Sequence, residues 1–382
     1  MVMSEKLRHC VEILADKGIK GLCVVASEVL EQSARQALFK NRLLRRILYP
    51  KLTGVYLELT NDCNMNCKMC PFRLDNRKIG YMSWSLFTGC VNQLSKIGPK
   101  DLWLHFGGET LLHPNFKDCM EYAIYHRDHG RIQKVSLITN GMLFNQSMAD
   151  LVVDLKVDAI GFSIDGMEQV NDRIRVGSKY SVVQRNIKYL IRRRGKAKKP
   201  EVFLSMTDYG KTKEQEMDVY QEWVPVVDRI SICPRIFSDG TVDNQDAFFR
   251  GHKSVKPSAF CFSPFEVMVI SWNGQVTACC VDTSFKADLG DATRESLKQI
   301  WHGLRYQALR KAALANVFPV GSPCHRCTFW KVTFEAEEEP FLNGTATMQY
   351  YLQWKMIRRK IEHEKRTLKK SEKETPVRAI DR

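Results

Sequence analysis

Short apolar runs recur through the middle of this 382-residue chain and alternate with longer amphipathic stretches. The runs are GVYLELT from Gly54, LWLHF from Leu102, KVSLIT from Lys134, DAIGFSI from Asp158, EVFLSM from Glu201 and DRISIC from Asp228. Each has strand length and is rich in β-branched or aromatic side chains. Helical patterns lie between most of them, such as SWSLFTGCVNQLSKIG from Ser83 and NFKDCMEYAIYHRDHG from Asn115. Strand and helix alternating in this way predict an α/β fold of parallel strands joined by crossover helices.

The flanks differ from this middle. Residues 1–50 read as helical: Leu30, Ala34, Leu38, Leu44, Ile47 and Leu48 recur near helical spacing, and Pro50 ends the segment. After Cys233 the rhythm stops, and residues 238–260 read as a linker. EVMVISWNGQVTACC then alternates on both sides of Asn273-Gly274, a strong hairpin signal. RESLKQIWHGLRYQALRKAAL predicts one helix with Leu297, Ile300, Trp301, Leu304 and Leu309 near one face. A charged helical tail follows Pro340. The expected division is a helical start over 1–50, a main domain over 51–237, a small domain over 238–335 and a basic tail over 336–382.

Composition narrows the class. Hydrophobic residues at 44% and charged ones at 26% describe a soluble globular protein. No run approaches the roughly 18 apolar residues of a membrane span, and the start lacks a signal-peptide core. A cytoplasmic, reducing location follows as the default, where thirteen cysteines read as metal ligands, catalytic groups or buried side chains. The formal charge of +15 gathers in KNRLLRRILYPK, in Arg192–Lys199 and in the tail. Without a recognition motif or interleaved aromatics, these clusters read as solvated helix faces, not a nucleic-acid footprint. Weak contact of the basic helices with an acidic membrane surface stays open.

Chemistry gathers at the strand ends, which face one rim in a parallel α/β barrel. The first run leads into CNMNCKMC, with thiols at Cys63, Cys67 and Cys70. The next two end in Gly107-Gly108-Glu109 and Thr139-Asn140-Gly141. The fourth ends in Ser163-Ile164-Asp165-Gly166, the fifth passes Ser205 and the sixth ends at Cys233. Thiolates suit zinc, copper(I) or iron–sulfur clusters. Three of them leave one corner of a [4Fe–4S] cube open, the requirement of a catalytic site. Zinc with a fourth ligand from elsewhere is the alternative.

The spacing Cys63-x3-Cys67-x2-Cys70 after a first strand resembles the cluster motif of the radical S-adenosylmethionine (SAM) enzymes. The resemblance covers residues 52–335 and implies a partial (β/α)6 TIM-type barrel. It further implies that Gly107, Gly108 and Glu109 receive the methionyl amino group of SAM. Thr139, Asn140, Ser163, Asp165 and Ser205 fall where the family binds the rest of the cofactor, and Arg175, with Arg173 as alternative, is the candidate partner of its carboxylate. Met69 stands where the family usually has an aromatic residue.

A second thiol group, Cys261-x12-Gly274-x4-Cys279 followed by Cys324-x2-Cys327, resembles the auxiliary-cluster extension of the same family, the SPASM domain or its shorter twitch form. With no cysteine after Cys327, the twitch form with one closed auxiliary cluster is expected; zinc on the same four thiols, or Cys280 in place of Cys279, are alternatives. The resemblance thus implies two [4Fe–4S] clusters and SAM as cofactors, and an external electron donor such as flavodoxin or ferredoxin. Cleavage of SAM to a 5′-deoxyadenosyl radical would then abstract hydrogen from substrate. A sugar or aminocyclitol, oxidised or epimerised, is the expected substrate; modification of a peptide is the first alternative. A non-catalytic iron–sulfur or zinc protein that binds nucleic acid is the second. Cys233 is a candidate hydrogen donor, whereas Cys90 and Cys119 sit on helical patterns as buried small residues.

Overall fold

A computed structural model describes residues 50–74, 76–209, 213–235 and 261–327. The expected N-terminal helical segment up to Tyr49, the linker 238–260 and the basic tail 336–382 lie outside these residues. The strands are β1 (Gly54–Leu57), β2 (Asp101–Trp103), β3 (Lys134–Thr139), β4 (Ala159–Ser163), β5 (Glu201–Asp208) and β6 (Arg229–Pro234). Three more follow, β7 (Val267–Ile270), β8 (Gln275–Thr277) and β9 (Gly290–Asp291). They form one nine-stranded sheet in the order β6-β5-β4-β3-β2-β1-β7-β8-β9. The pairs from β6 through β1 are parallel, as the alternating pattern requires.

The helices are α1 (Trp84–Ile97), α2 (Phe116–His129), α3 (Gln146–Asp154), α4 (Glu168–Ile174), α5 (Tyr180–Arg194) and α6 (Lys213–Trp223). Helix α1 shows why these segments are helical. The Ser83 side chain caps it by accepting from Leu86 N, Gly98 ends it at φ 76°, and Phe87, Cys90, Val91 and Leu94 fall on the buried face. Each such side chain contributes about 1.5–3 kcal/mol on leaving water. Cys90 and Cys119 are buried in the same core, as small residues of α1 and α2.

Alternation along the strands separates that outer core from the barrel lumen. Val55, Leu57, Leu102 and Leu104 are fully buried in the core shared with the helices. Tyr56 and Trp103, one residue out of step, stack inside at 6.2 Å. Trp103 reaches across the lumen to Phe203 on β5, at 6.4 Å edge to face, and the Arg229 guanidinium lies 4.0 Å over the Phe203 ring. Glycine at position 161 makes room for this floor. A Cβ there would stand 2.5 Å from the Phe203 ring.

The expected hairpin is present: β7 and β8 pair antiparallel around Gly274, which has φ 92°. It does not stand apart from the barrel, because β7 lies parallel to β1 in the register Gly54–Val267 to Leu57–Ile270. The small domain therefore continues the main sheet. The single helix expected after it is two, α8 (Leu297–His302) and α9 (Leu304–Ala315), with a short α7 (Ser263–Glu266) before β7. Gly303 takes an extended conformation at φ −69°, ψ 163° and resets the helical register. Leu297, Ile300 and Trp301 are buried as expected, but Leu304 is 82% exposed.

One ion pair fastens this extension to the segment after the three-cysteine loop. Glu58, fully buried, accepts two 2.8 Å hydrogen bonds from Arg77 and a third from Trp272 N at 3.3 Å. The Arg77 guanidinium also packs 4.8 Å over the Phe285 ring. Glu58→Ala removes the fully buried partner of this pair, and is expected to cost about 3–5 kcal/mol of folding stability. Chemical denaturation of the metal-free protein measures this; a loss below about 1 kcal/mol would mean that the pair behaves as a solvated one.

Candidate active site at the strand ends

The loop after β1 carries Cys63, Cys67 and Cys70 across the rim of the barrel. Its backbone is pinned from the side, with Asn66 N donating to Val176 O at 2.8 Å and Lys68 N to Ile174 O at 2.9 Å. It is pinned from the neighbouring strand end by Asn140 Nδ2, which donates to Asn64 Oδ1 at 2.8 Å. Met69, at the irregular position of the motif, is buried at 8% exposure and contributes to the cavity wall.

Glu109 is the hub of the rim. Oε1 accepts from Thr139 Oγ1 at 2.8 Å and Leu111 N at 3.2 Å; Oε2 accepts from Asn140 N at 2.6 Å. Glu109 N donates to Asp62 O at 2.7 Å, so one residue ties the ends of β1, β2 and β3. Burial raises its carboxyl above the ordinary range, and the three hydrogen bonds oppose that rise. Two glycines let the strands come this close. A Cβ on Gly107 would stand 2.6 Å from Glu58 Oε1, and one on Gly108 would stand 2.3 Å from Asp62 O.

These groups surround a cavity of about 530 Å³. Cys63, Cys67, Cys70, Gly108, Glu109, Thr139, Asn140, Ser163, Arg175, Ser205 and Cys233 all lie on its wall. Gly107 and Asp165 do not. Gly107 packs behind the wall, and Asp165 is fully buried behind Arg175, whose Nε it approaches at 2.7 Å. Burial raises the Cys67 thiol, and the nearby Arg175 guanidinium opposes that rise. Asp165 thus acts on the cavity through Arg175. Burial pushes the Cys233 thiol up to about 11, so its sulfur keeps its proton at neutral pH.

Residues on this wall that sequence reasoning missed include Arg77, His105 and Thr207. Nothing in the local pattern marks Arg77, which arrives through the pair with Glu58. His105 was legible: in LWLHF the alternation that buries Leu102 and Leu104 under the helices turns Trp103 and His105 inward.

The second thiol group lines a separate, mostly apolar pocket. Cys261, Cys279, Cys324 and Cys327 all face it, from the start of α7, the end of β8 and the loop after α9. Val281 N donates to Cys279 Sγ at 3.4 Å, and Cys327 N to Cys324 O at 3.3 Å. Cys280 lies off this wall, beside Cys279 in the chain and within electrostatic reach of Cys233. Among the described residues, no group of three or more His, Cys, Asp or Glu side chains is placed to hold a single metal ion.

The residues present fit an iron–sulfur cluster with an amino-acid ligand at the first site. Three soft donors share one loop beside a glycine cradle, and a buried carboxylate stands ready for an ammonium. The second site offers four thiols on one pocket wall, one for each corner of a cube, which fits a closed cluster.

Comparison with known proteins agrees. The model of the Radical SAM superfamily matches residues 57–221, and that of the SPASM iron–sulfur cluster-binding domain matches residues 261–328. A tungsten-containing aldehyde ferredoxin oxidoreductase cofactor-modifying protein of Pyrococcus furiosus is 25% identical over 328 residues, covering 73% of this chain and 90% of that protein. The sporulation killing factor maturation protein SkfB of Bacillus subtilis is 27% identical over 119 residues, 31% of this chain and 28% of its own length. The crystal structure of BtrN in complex with AdoMet and 2-DOIA has the same fold, with TM-score 0.50 at 17% identity over 76% of this chain and 97% of that one. Among the described residues, no helix is long and apolar enough to cross a membrane.

Gly108 has φ 63° and faces the backbone of Thr60, Asn61 and Asp62. Gly108→Ala is expected to cost about 2–3 kcal/mol from backbone strain and displacement of the cysteine loop. Thermal unfolding of the metal-free protein measures the cost, and an unchanged midpoint would show that the rim tolerates a side chain there.

Proposed function

As a member of the radical SAM superfamily and of its SPASM subgroup, the chain is a radical SAM enzyme, and we propose that it oxidises or epimerises a small polyhydroxylated substrate, of sugar or aminocyclitol type. Its cofactors are [4Fe–4S] clusters and SAM. One observation carries the substrate proposal: beside the three-thiol loop and the proposed SAM contacts, the cavity is lined by Thr207 and Cys233. Small hydroxyl and thiol side chains there suit a compact ligand rich in hydroxyls.

When bound, the cluster and SAM supply reductive cleavage of the sulfonium and abstraction of a hydrogen atom from substrate. The chain's own residues bind, orient and hold protons. Cys63, Cys67 and Cys70 are the proposed ligands of the SAM-binding cluster. Glu109, held by Thr139 and Asn140, would receive the ammonium of SAM, and Arg175, steadied by Asp165, its carboxylate. Gly107 and Gly108 keep the rim open for it, and Ser163 and Ser205 complete the proposed cofactor contacts. Cys233, protonated at Sγ, is the proposed hydrogen donor if the outcome is epimerisation. Cys261, Cys279, Cys324 and Cys327 are the proposed ligands of one auxiliary cluster, and an external one-electron donor such as flavodoxin or ferredoxin completes the proposal.

Peptide modification is the second reading. SkfB, by its name a maturation protein, favours it, although the match covers 31% of this chain. The relative matched over 90% of its own length is named for modifying a cofactor, which favours the small-molecule reading.

Anaerobic reconstitution is expected to give about eight irons per chain. Replacing Cys63, Cys67 and Cys70 together by alanine should halve that number and abolish 5′-deoxyadenosine formation under dithionite. Stoichiometric zinc without 5′-deoxyadenosine would overturn the assignment. Deuterium passing into 5′-deoxyadenosine from labelled cyclitols or hexosamines supports the first reading, and deuterium from a labelled peptide supports the second.

Glu109 gives a pH test. Its carboxyl is raised by burial, so in the free enzyme it is neutral at low pH and ionises only as pH climbs through its raised value. SAM affinity should therefore strengthen over that climb, while the unliganded protein loses stability over the same window. Glu109→Gln should weaken SAM binding by about tenfold and flatten both trends. Equilibrium binding and denaturation across pH measure them, and unchanged trends in the variant would remove Glu109 from the proposal.

A further inference from the structure

His105 is a partly buried polar group that the proposed cofactor contacts do not use. Its ring lines the cavity and stands on the aromatic floor, edge-on to Trp103 at 5.3 Å and to Tyr56 at 5.7 Å. Burial pushes its pKa down to about 3, so the imidazole is neutral in the working protein. Nδ1 is buried and has no hydrogen-bond partner. A neutral imidazole has one nitrogen to donate and one to accept, and leaving one unmet inside a protein forfeits the hydrogen bond it made in water. Phenylalanine would make the same edge contacts without that cost.

Four other polar groups on the wall are engaged by the protein. Glu109 is held by Thr139, Asn140 and Leu111; Asn140 reaches Asn64; Arg77 is paired with Glu58; Arg175 lies against Asp165. His105 differs in standing against the Tyr56 and Trp103 rings with its Nδ1 unpartnered. A group there that is neutral, rigid between two aromatic edges and short of a partner is suited to a neutral hydroxyl.

Resting on the reading that the substrate is a small polyhydroxylated molecule, we propose that His105 is a substrate-recognition residue: its neutral ring hydrogen-bonds one substrate hydroxyl and so fixes which C–H bond faces the cysteine loop. The ring takes and gives no proton in the reaction. Its share is orientation and selectivity, since a site built to meet a hydroxyl rejects analogues that lack it.

The test uses reconstituted holoenzyme with dithionite, SAM and two labelled probes, perdeuterated myo-inositol and perdeuterated D-glucosamine. The readout is the fraction of 5′-deoxyadenosine that carries deuterium. Wild-type enzyme is expected to transfer deuterium from at least one probe. His105→Phe should lower the deuterated fraction at least about tenfold, the worth of one hydrogen bond, and raise the half-saturating probe concentration. His105→Asn, which restores a neutral hydrogen-bonding group, should recover part of it. Iron content and thermal midpoint of each variant separate this from a folding defect, which His105→Asn would not rescue.

An equal deuterated fraction in wild type and His105→Phe overturns the proposal and leaves the small-molecule reading standing. Loss in His105→Phe with no recovery in His105→Asn also overturns it, since packing alone would then explain the loss. Transfer from neither probe in a wild-type enzyme that still forms 5′-deoxyadenosine sinks the small-molecule reading, and the role of His105 with it.

Discussion

Glu109 brings a carboxylate into the interior of the rim and surrounds it with hydrogen-bond donors from its neighbours, Thr139, Asn140 and Leu111. Its own amide completes the arrangement by donating to Asp62 at the start of the cysteine loop. Parallel strands share no hairpins, so their ends have no covalent reason to stay in register at the rim. A buried carboxylate with several acceptor sites supplies one. The glycines before it follow from the same requirement, because side chains at 107 and 108 would push Glu58 and Asp62 away. Even the pairing of Asn140 with Asn64 depends on the backbone that Glu109 holds.

The two thiol sites are joined by a different kind of contact. Glu58 and Arg77 link β1 to the chain that follows the cysteine loop, while Trp272 N and the Phe285 ring bring the hairpin extension onto the same pair. Tyr306 on α9 donates to Val267 O at 3.0 Å and fixes the strand from behind. Arg310, buried over the Trp301 ring at 4.4 Å and donating to Pro264 O at 2.9 Å, holds α9 to α7. The loop that carries three thiols and the pocket lined by four therefore rest on one rigid sheet, so the distance between them is a property of the fold.

Much of this was legible in the sequence because it follows from short-range periodicity. The strands, the hairpin at Asn273-Gly274 and the small polar groups at the strand ends each depend on residues close together in the chain. What was not legible depends on partners far apart. Arg77 has no local mark and takes its place from Glu58, nineteen residues earlier. Asp165 stands at a strand end like its neighbours, yet turns behind the wall to meet Arg175. The break at Gly303 was visible as a glycine, but its extended conformation is set by the packing of Trp301 against Tyr306, 4.9 Å apart. That β7 would lie along β1 could not be read from either strand, since more than two hundred residues separate Gly54 from Val267.

This last pairing has a consequence for the life of the chain during synthesis. Until β7 arrives, the free edge of β1 presents its amides and carbonyls, later taken by contacts such as Glu58 N to Ile270 O at 2.9 Å and Thr53 N to Glu266 O at 2.8 Å. An uncovered parallel edge invites other chains to add to it. The hairpin extension thus acts as an edge cover: it continues the sheet through two short antiparallel strands and ends at the two-residue β9. The thiols of the second site lie in the segments that flank this cover. The β1 edge stays open until more than two hundred further residues have been added, which sets how long the partly made barrel is exposed to pairing with other chains.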